Sequence, residues 1–211
     1  MFKYLVFWIE VVLILVIPTI LFSLNSSFFA LRHIVMGLGG LYSSYRLLRS
    51  EATLSSLGIR RTNFFPAIKD LAFPSLVFVG ITWVIFLLLP TSSLKIIVGY
   101  DPLTIQSFTE RILAYIFLSA PIQELIFRGY ITWRIKEVYH NPRLIQLLSV
   151  AFFMFVHLPF FSPLLLIITF FMGLVYIKNY QQYQNLFAPI LSHAFVGACI
   201  LIIRHVWFPY I

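Results

Sequence analysis

The sequence predicts an all-α membrane protein, a bundle of about seven transmembrane helices in one domain that covers residues 1–211. Of the 211 residues, 61% are hydrophobic and only 10% are charged. A soluble protein of this size needs more polar residues to cover its surface. In addition, apolar stretches long enough to cross about 30 Å of hydrocarbon recur along the chain.

The first three spans differ in how clearly they are marked. Tyr4–Ser23 is longer than a signal-peptide core and has no small-residue cleavage pattern just after it, so we interpret it as a retained span. Phe28–Leu48 is more polar, and its stretch from Gly37 to Gly40 would allow close helix contact. Leu71–Leu89 carries no charge. Between the second and third spans, Leu54–Phe65 is interpreted as a short interfacial helix broken by Gly58.

Four further spans follow, Ser107–Ile135, Pro142–His157, Pro163–Ile177 and Leu186–Trp207. Candidate functional residues concentrate in this part of the chain, which we take as a motif-bearing core over residues 107–207. The span that ends at His157 is too short for a full crossing, so we expect His157 to lie part-way through the membrane. A helix that ends at that depth must face a protein-lined cavity.

Basic residues are unevenly distributed between the two sides of this predicted bundle. With the N-terminus inside, the cytoplasmic segments hold ten of them, Lys3, Arg46, Arg49, Arg60, Arg61, Lys69, Arg134, Lys136, Arg143 and Lys178, and the outer segments hold three, Lys95, Arg111 and Arg204. The positive-inside rule therefore predicts a cytoplasmic N-terminus in a cell membrane. It also explains the net charge of +8 without a nucleic-acid partner.

Two further residues limit which chemistry and which helix contacts are possible. Cys199 is the only cysteine, which excludes an internal disulfide and a cysteine-based metal cluster. Glu10 lies in the first span, about 10 Å beyond Lys3 by helical rise. On the returning span this depth corresponds to Tyr42 or Arg46, so we predict a structural pair there.

Ionisable residues inside the spans are the candidates for function, because a charge in hydrocarbon is costly. Glu124 and Arg128 are four residues apart, so on a helix they share a face and can pair. His157 and His193 add imidazoles from two other spans. One such histidine is more often a packing residue, but these four groups together are difficult to explain by packing alone.

The four groups suit hydrolysis of a membrane-associated peptide or protein. A carboxylate can take a proton from water, one neutral imidazole can orient that water, and another can stabilise an oxyanion. The same groups could hold a divalent metal, but no His-Glu-x-x-His helix is present, so we rank metal lower and expect no cofactor. A proton-coupled carrier is a further alternative, although the two halves show no inverted similarity.

The motifs, in chain order, are Glu124-Leu-Ile-Phe-Arg128-Gly, Phe153-x-x-x-His157 and Ala188-Pro-Ile-Leu-Ser-His193. Their order and spacing resemble the CPBP family, the CAAX proteases and bacteriocin-processing enzymes also called Abi. The resemblance implies an intramembrane endopeptidase with the pattern Glu-Glu-x-x-x-Arg, Phe-x-x-x-His and His-x-x-x-Asn, in which a similar small polar residue can replace the Asn. In that pattern the first Glu and first His activate water, while the second His and the final polar residue stabilise the oxyanion.

Two positions depart from the family pattern. Aligned on Arg128, the first Glu is replaced by Gln123, and the final polar residue is replaced by Gly197. A glutamine cannot act as a general base, and glycine has no side chain to donate a hydrogen bond.

These departures leave two hypotheses. In the first, Glu124 is the base and is held by Arg128, while Gln123 positions the water. His157 then helps to activate the water, and His193 faces the oxyanion. In the second, the protein is a catalytically weak or inactive family member that acts as a membrane scaffold or immunity-type factor.

Overall fold

The computed structural model describes residues 2–25, 28–29, 31–50, 55, 57–98 and 105–208. These residues form helices and turns, and no strand occurs among them. The helices are α1 (Phe2–Leu24), α2 (Arg32–Arg49), α3 (Phe64–Leu88), α4 (Thr91–Val98), α5 (from Ile105 to Val138), α6 (Pro142–Phe155), α7 (Pro163–Tyr183) and α8 (Phe187–Trp207). The predicted all-α membrane fold is thus confirmed.

Within the described residues, six helical stretches are long and apolar enough to cross a membrane. They are Phe2–Leu24, Phe64–Leu88, Phe108–Val138, Pro142–Phe160, Pro163–Tyr183 and Phe187–Trp207. The predicted second span corresponds to α2, whose 18 residues include three arginines. At 1.5 Å per residue α2 is about 27 Å long, which is close to the thickness of the hydrocarbon layer.

Side-chain contacts at one end of the bundle join α1, α2 and α5. Glu10 of α1 accepts hydrogen bonds from Tyr42, at 2.9 Å, and from Arg46, both of which lie near the end of α2. Its other carboxylate oxygen lies 2.6 Å from Nε of Arg134, near the end of α5. The structural pair predicted for Glu10 is therefore present, and it extends to a third helix.

Two contacts mark the opposite end of the bundle. Phe29, which precedes α2, lies edge-on to Phe160, with ring centroids 5.2 Å apart. Ser162, which caps α7, donates a hydrogen bond from Oγ to the carbonyl of Ile97 in α4 at 2.7 Å. Since α2 begins near this end and finishes beside Glu10, it runs the length of the bundle despite its polarity.

The segment before α3 is not the interfacial helix predicted for Leu54–Phe65. Residues 57–63 form turns and the last two residues belong to α3, while residues 54 and 56 lie outside the described ones. Gly58 has a φ of +80°, a conformation that glycine adopts without strain. Its carbonyl accepts a hydrogen bond from the Leu186 N–H at 2.8 Å, which joins this turn to the connection between α7 and α8.

Asn185 holds the same turn from inside that connection. Its Nδ2 donates to the carbonyls of Arg60 at 2.8 Å and Thr62 at 3.0 Å, and its Oδ1 accepts from the Ala188 N–H at 3.1 Å. Arg60 adds a bond from Nε to the Gln184 carbonyl at 2.9 Å. The first turn of α8, the helix that carries the second motif histidine, is therefore anchored at this end.

Two helices extend further toward this end than predicted, since α3 begins earlier and α7 finishes later. The additional turns are polar, and hydrogen bonds between polar groups join the two helices there. Asn179 of α7 donates from Nδ2 to the Ala67 carbonyl and to Oδ2 of Asp70 in α3, both at 2.9 Å. Hydropathy places the start of α3 too late and the end of α7 too early, because it counts these polar residues as exposed.

We expect Asn185→Ala to lower the free energy of unfolding by about 2–4 kcal/mol, because it removes three hydrogen bonds at a buried position. The measurement is denaturation by sodium dodecyl sulfate in mixed micelles. Asn141→Ala is the matched control, since Asn141 caps α6 through the N–H groups of Arg143 and Leu144 but is exposed. It should lose about 1 kcal/mol, and an equal loss in both variants would contradict the anchoring role.

Candidate active site

The motif helix α5 is not a uniform α-helix. π-Helical stretches at Tyr115–Ser119 and Leu125–Ile131 flank the short α-helical stretch Ala120–Glu124. A π-helical stretch adds a residue to the turn and so rotates the side chains that follow it, and such stretches recur at functional sites. Spacing rules for a regular helix therefore do not hold across the whole of α5.

Helix α2 approaches α5 closely at a glycine. A Cβ added at Gly40 would lie 2.9 Å from Cγ2 of Ile122, next to the first motif residue of α5. The close contact predicted for the stretch from Gly37 to Gly40 is confirmed at Gly40, whereas Gly37 faces open space. This approach supports α5 at the level of the candidate site.

Glu124 and Arg128 form a buried ion pair, as their spacing predicts. Nη1 of Arg128 donates to Oε1 of Glu124 at 3.0 Å, and the two side chains are 1% and 0% exposed. The guanidinium carbon lies 4.2 Å from the ring centroid of Phe153 and 5.2 Å from that of Tyr176. Two aromatic rings therefore cover the cation that neutralises the acid.

His193 of α8 contacts the same carboxylate oxygen. Its Nδ1 lies 2.8 Å from Oε1 of Glu124. Because a carboxylate oxygen accepts, Nδ1 carries the proton in this contact, and Nε2 is left for another partner. The imidazole is surrounded by the rings of Tyr115, Phe153 and Tyr176, with centroid distances of 5.8, 5.6 and 5.7 Å. Its orientation is thus fixed from three sides.

His157 lies just beyond the end of α6 and is buried inside the protein, 8% exposed. The backbone N–H of His157 donates to the Met154 carbonyl at 3.0 Å. The Phe153 carbonyl, which this N–H would bond in a continuous α-helix, is therefore left without its helical donor. Nδ1 of the His157 ring lies 2.7 Å from this carbonyl. A carbonyl only accepts, so Nδ1 carries a proton in this contact and Nε2 is left for another partner.

The two imidazoles and the acid lie close together. The ring of Phe153 contacts both histidines, with its centroid 4.9 Å from that of His157 and 5.6 Å from that of His193. The Arg128 guanidinium carbon lies 4.2 Å from the centroid of the same ring. Groups from α5, α6 and α8 therefore converge around one aromatic side chain.

Two buried acceptors at the site lack a donor among the described residues. Gln123 donates from Nε2 to Oγ of Ser119 at 2.8 Å, but its Oε1 has no partner. Oε2 of Glu124 also has none. Buried acceptors are nearly always hydrogen-bonded, so these two oxygens are suited to receive a water or a ligand.

The final motif position, Gly197, is covered by a side chain from α5. A Cβ added at Gly197 would overlap the ring edge and hydroxyl of Tyr115. The space that a polar side chain would enter in the family pattern is therefore filled by a tyrosine from another helix.

Sequence reasoning did not identify Tyr115. It precedes Glu124 by nine residues, which in a regular α-helix places the two side chains about 180° apart. The π-helical stretch that begins at Tyr115 changes this rotation, and the Tyr115 ring contacts His193.

Sequence reasoning did not identify Tyr176 either. It lies in a hydrogen-bonded chain in which Ser192 Oγ is 3.3 Å from its hydroxyl.

The geometry also bears on a metal ion. Among the described residues, no group of three or more His, Cys, Asp or Glu side chains is placed to hold one. Oε1 of Glu124 is engaged by Arg128, a cation that would repel a metal at the same oxygen. Independence from metal remains a proposal to be tested by activity.

The fold and the site define a class, a multi-pass helical membrane protein with an acid, an arginine and two histidines inside its bundle. Residues 105–199 match the family model described as Type II CAAX prenyl endopeptidase Rce1-like. This match confirms the resemblance to the CPBP family, and it includes all five predicted site residues. No curated protein and no solved structure matches the chain. At the level of the family, the match supports an intramembrane protease of the CAAX type.

We expect Arg128→Met to lower the free energy of unfolding by about 3–5 kcal/mol, because the Glu124 charge would remain buried without its cation. Adding Glu124→Gln should recover part of this loss, with a coupling energy of about 1–3 kcal/mol. Denaturation of the four proteins in mixed micelles measures the cycle.

Arg143→Met is the control for loss of an arginine, since Arg143 is exposed at the start of α6. It should change the stability by less than about 0.5 kcal/mol. A double variant that loses the sum of the two single losses would contradict the coupling.

Proposed function

We propose that this protein is an intramembrane endopeptidase that cleaves a membrane-associated peptide or protein with water activated by Glu124 and His157. The observation that carries the proposal is the convergence of one carboxylate and two imidazoles from three helices inside the bundle. Hydrolysis requires such groups around a single reacting carbonyl. The family match supplies the reaction class, cleavage of a peptide bond.

In the proposed mechanism Glu124 is the general base. Oε1 is held by Arg128 and His193, so the carboxylate cannot rotate freely, and Oε2 takes a proton from the attacking water. Gln123 positions the same water through the N–H that Ser119 does not use. Nε2 of His157 accepts the second O–H of the water and directs its lone pair toward the substrate.

The remaining steps complete the reaction. The hydroxide oxygen bonds to the scissile carbonyl carbon, and the electron pair of the carbonyl moves onto its oxygen. Nε2–H of His193 donates a hydrogen bond to this oxyanion, and the ring is doubly protonated from the start of the reaction and keeps both protons, with Nδ1–H on Oε1 of Glu124. The proton held by Glu124 then passes to the leaving amine as the carbon–nitrogen bond breaks.

The proposal extends to substrate and orientation. A prenylated cysteine near a carboxyl terminus is the substrate class that the family description suggests. We place the protein in the cell membrane with its N-terminus in the cytoplasm, because the basic residues concentrate at the end of the bundle where α1 begins. No cofactor takes part in the proposed reaction.

The test is cleavage of a quenched fluorescent peptide that carries S-farnesylcysteine followed by three residues, by protein reconstituted in liposomes. We expect Glu124→Gln and His157→Ala to lower kcat by at least about 100-fold, because each removes a group that activates water. Glu110→Gln is the matched control, since Glu110 is an exposed carboxylate on the same helix. If both site variants cleave the peptide with the kcat of the wild-type protein, the assignment is refuted. Activity lost to a chelator and restored by a divalent metal would favour the metal-bound alternative.

A non-catalytic membrane scaffold or immunity-type factor is the second candidate. Gln123 stands at the first Glu position of the family pattern, which favours this alternative. In it, the bonds of Glu124 to Arg128 and His193 are structural, and the protein acts through binding to a partner.

If the second candidate is correct, Gln123→Glu should create proteolysis or raise it at least about 10-fold, because it supplies a carboxylate base beside a hydroxyl that can orient it. The measurement is cleavage of the same farnesylated peptide. Gln146→Glu on α6, whose side chain bonds to Gln181 away from the site, controls for the added charge. If Gln123→Glu is no more active than the wild-type protein, the result would count against the second candidate, in which activity was lost with the carboxylate base.

A further inference from the structure

We propose that the hydroxyl of Tyr115 stabilises the oxyanion in place of the side chain that Gly197 lacks. The inference rests on the proposed function, because an oxyanion forms only if a peptide bond is hydrolysed. It assigns to Tyr115, a residue outside the motifs, a direct contact with the reacting atoms.

The first support is steric. Gly197 follows His193 by four residues on α8, so the two positions share a helix face. A Cβ at residue 197 would overlap three atoms of Tyr115, namely Cε1, Cζ and the hydroxyl oxygen. It is therefore the polar tip of the tyrosine that stands where a side chain at position 197 would begin.

The second support is that the Tyr115 hydroxyl is available to donate. It has no hydrogen-bond partner in the part of the chain that the structure describes. The other tyrosine beside His193 is differently engaged, because Tyr176 accepts from Ser192 and lies against the Arg128 guanidinium. Of these two phenols, only that of Tyr115 combines an unused O–H with a position next to Gly197.

The third support is the geometry relative to His193. The Tyr115 ring lies edge-on to the imidazole, with centroids 5.8 Å apart and an interplanar angle of 79°. The two rings, which belong to different helices, are therefore in contact. Each is fixed by packing before a substrate enters.

The chemistry follows from this arrangement. When the hydroxide oxygen bonds to the carbonyl carbon, the C=O electron pair moves onto the oxygen, which becomes negatively charged. A donor that is already in place in a low-dielectric site stabilises this developing charge more than it stabilises the neutral carbonyl. Tyr115 keeps its proton throughout. Its removal should therefore affect kcat rather than KM.

Tyr115→Phe removes the hydroxyl and keeps the ring, so it tests the inference with little effect on packing. With the farnesylated peptide in liposomes we expect kcat to fall by about 100-fold with KM unchanged. Tyr45→Phe is the matched control, because Tyr45 is 55% exposed on α2, and it should keep the wild-type kcat. An unchanged melting temperature of Tyr115→Phe shows that the loss is not due to unfolding.

A second experiment moves the donor from α5 to α8. Tyr115→Ala opens the space above Gly197, and Gly197→Asn in that background places an amide donor there. The double variant should exceed Tyr115→Ala in kcat at least about 10-fold, whereas Gly197→Asn alone should be impaired because its side chain collides with the phenol.

The outcomes separate the inference from the proposed function. Wild-type kcat in Tyr115→Phe, with normal cleavage by the wild-type protein, overturns the role of Tyr115 and leaves the proposed endopeptidase intact. If the wild-type protein does not cleave the peptide at all, both proposals fail together. A selective loss of kcat in Tyr115→Phe supports both.

Discussion

The candidate site depends on how the Glu124 charge is neutralised inside an apolar bundle. An unpaired carboxylate at this depth would cost several kcal/mol, so its partners are a condition for folding as well as for chemistry. Arg128 supplies the cation from the same helix, and His193 adds a bond from α8. Phe153 covers the cation and joins α6 to the site. One carboxylate thereby connects three helices.

Polar contacts at the end of the bundle where α1 begins set the positions of these helices. Helices in lipid gain little from hydrophobic burial against one another, so specific polar contacts and close approaches determine how they pack. Glu10 joins α1 and α2 to the end of α5 through Arg134, and Asn185 anchors the beginning of α8. The contacts that position the helices carrying the acid and His193 therefore lie at a distance from the site itself.

Much of the fold follows from the sequence because hydrocarbon imposes a length of about 20 apolar residues on each crossing. The pairing of Glu124 with Arg128 follows as well, from the period of a regular helix. The predictions fail where a polar side chain is hydrogen-bonded to a partner distant in sequence, as Asn179 is to Asp70, or where the helical period changes. Tyr115 illustrates the second failure, since a π-helical stretch changes its rotation relative to the motif.

The overlap between Tyr115 and position 197 limits how this protein can change through evolution. A larger residue at position 197 is accessible only after residue 115 has become small, and a small residue at 115 removes a hydroxyl before anything replaces it. Under the proposed mechanism, either single substitution produces an intermediate protein with lower activity. The two positions are thus epistatic, and a lineage that has acquired this pair is expected to retain it.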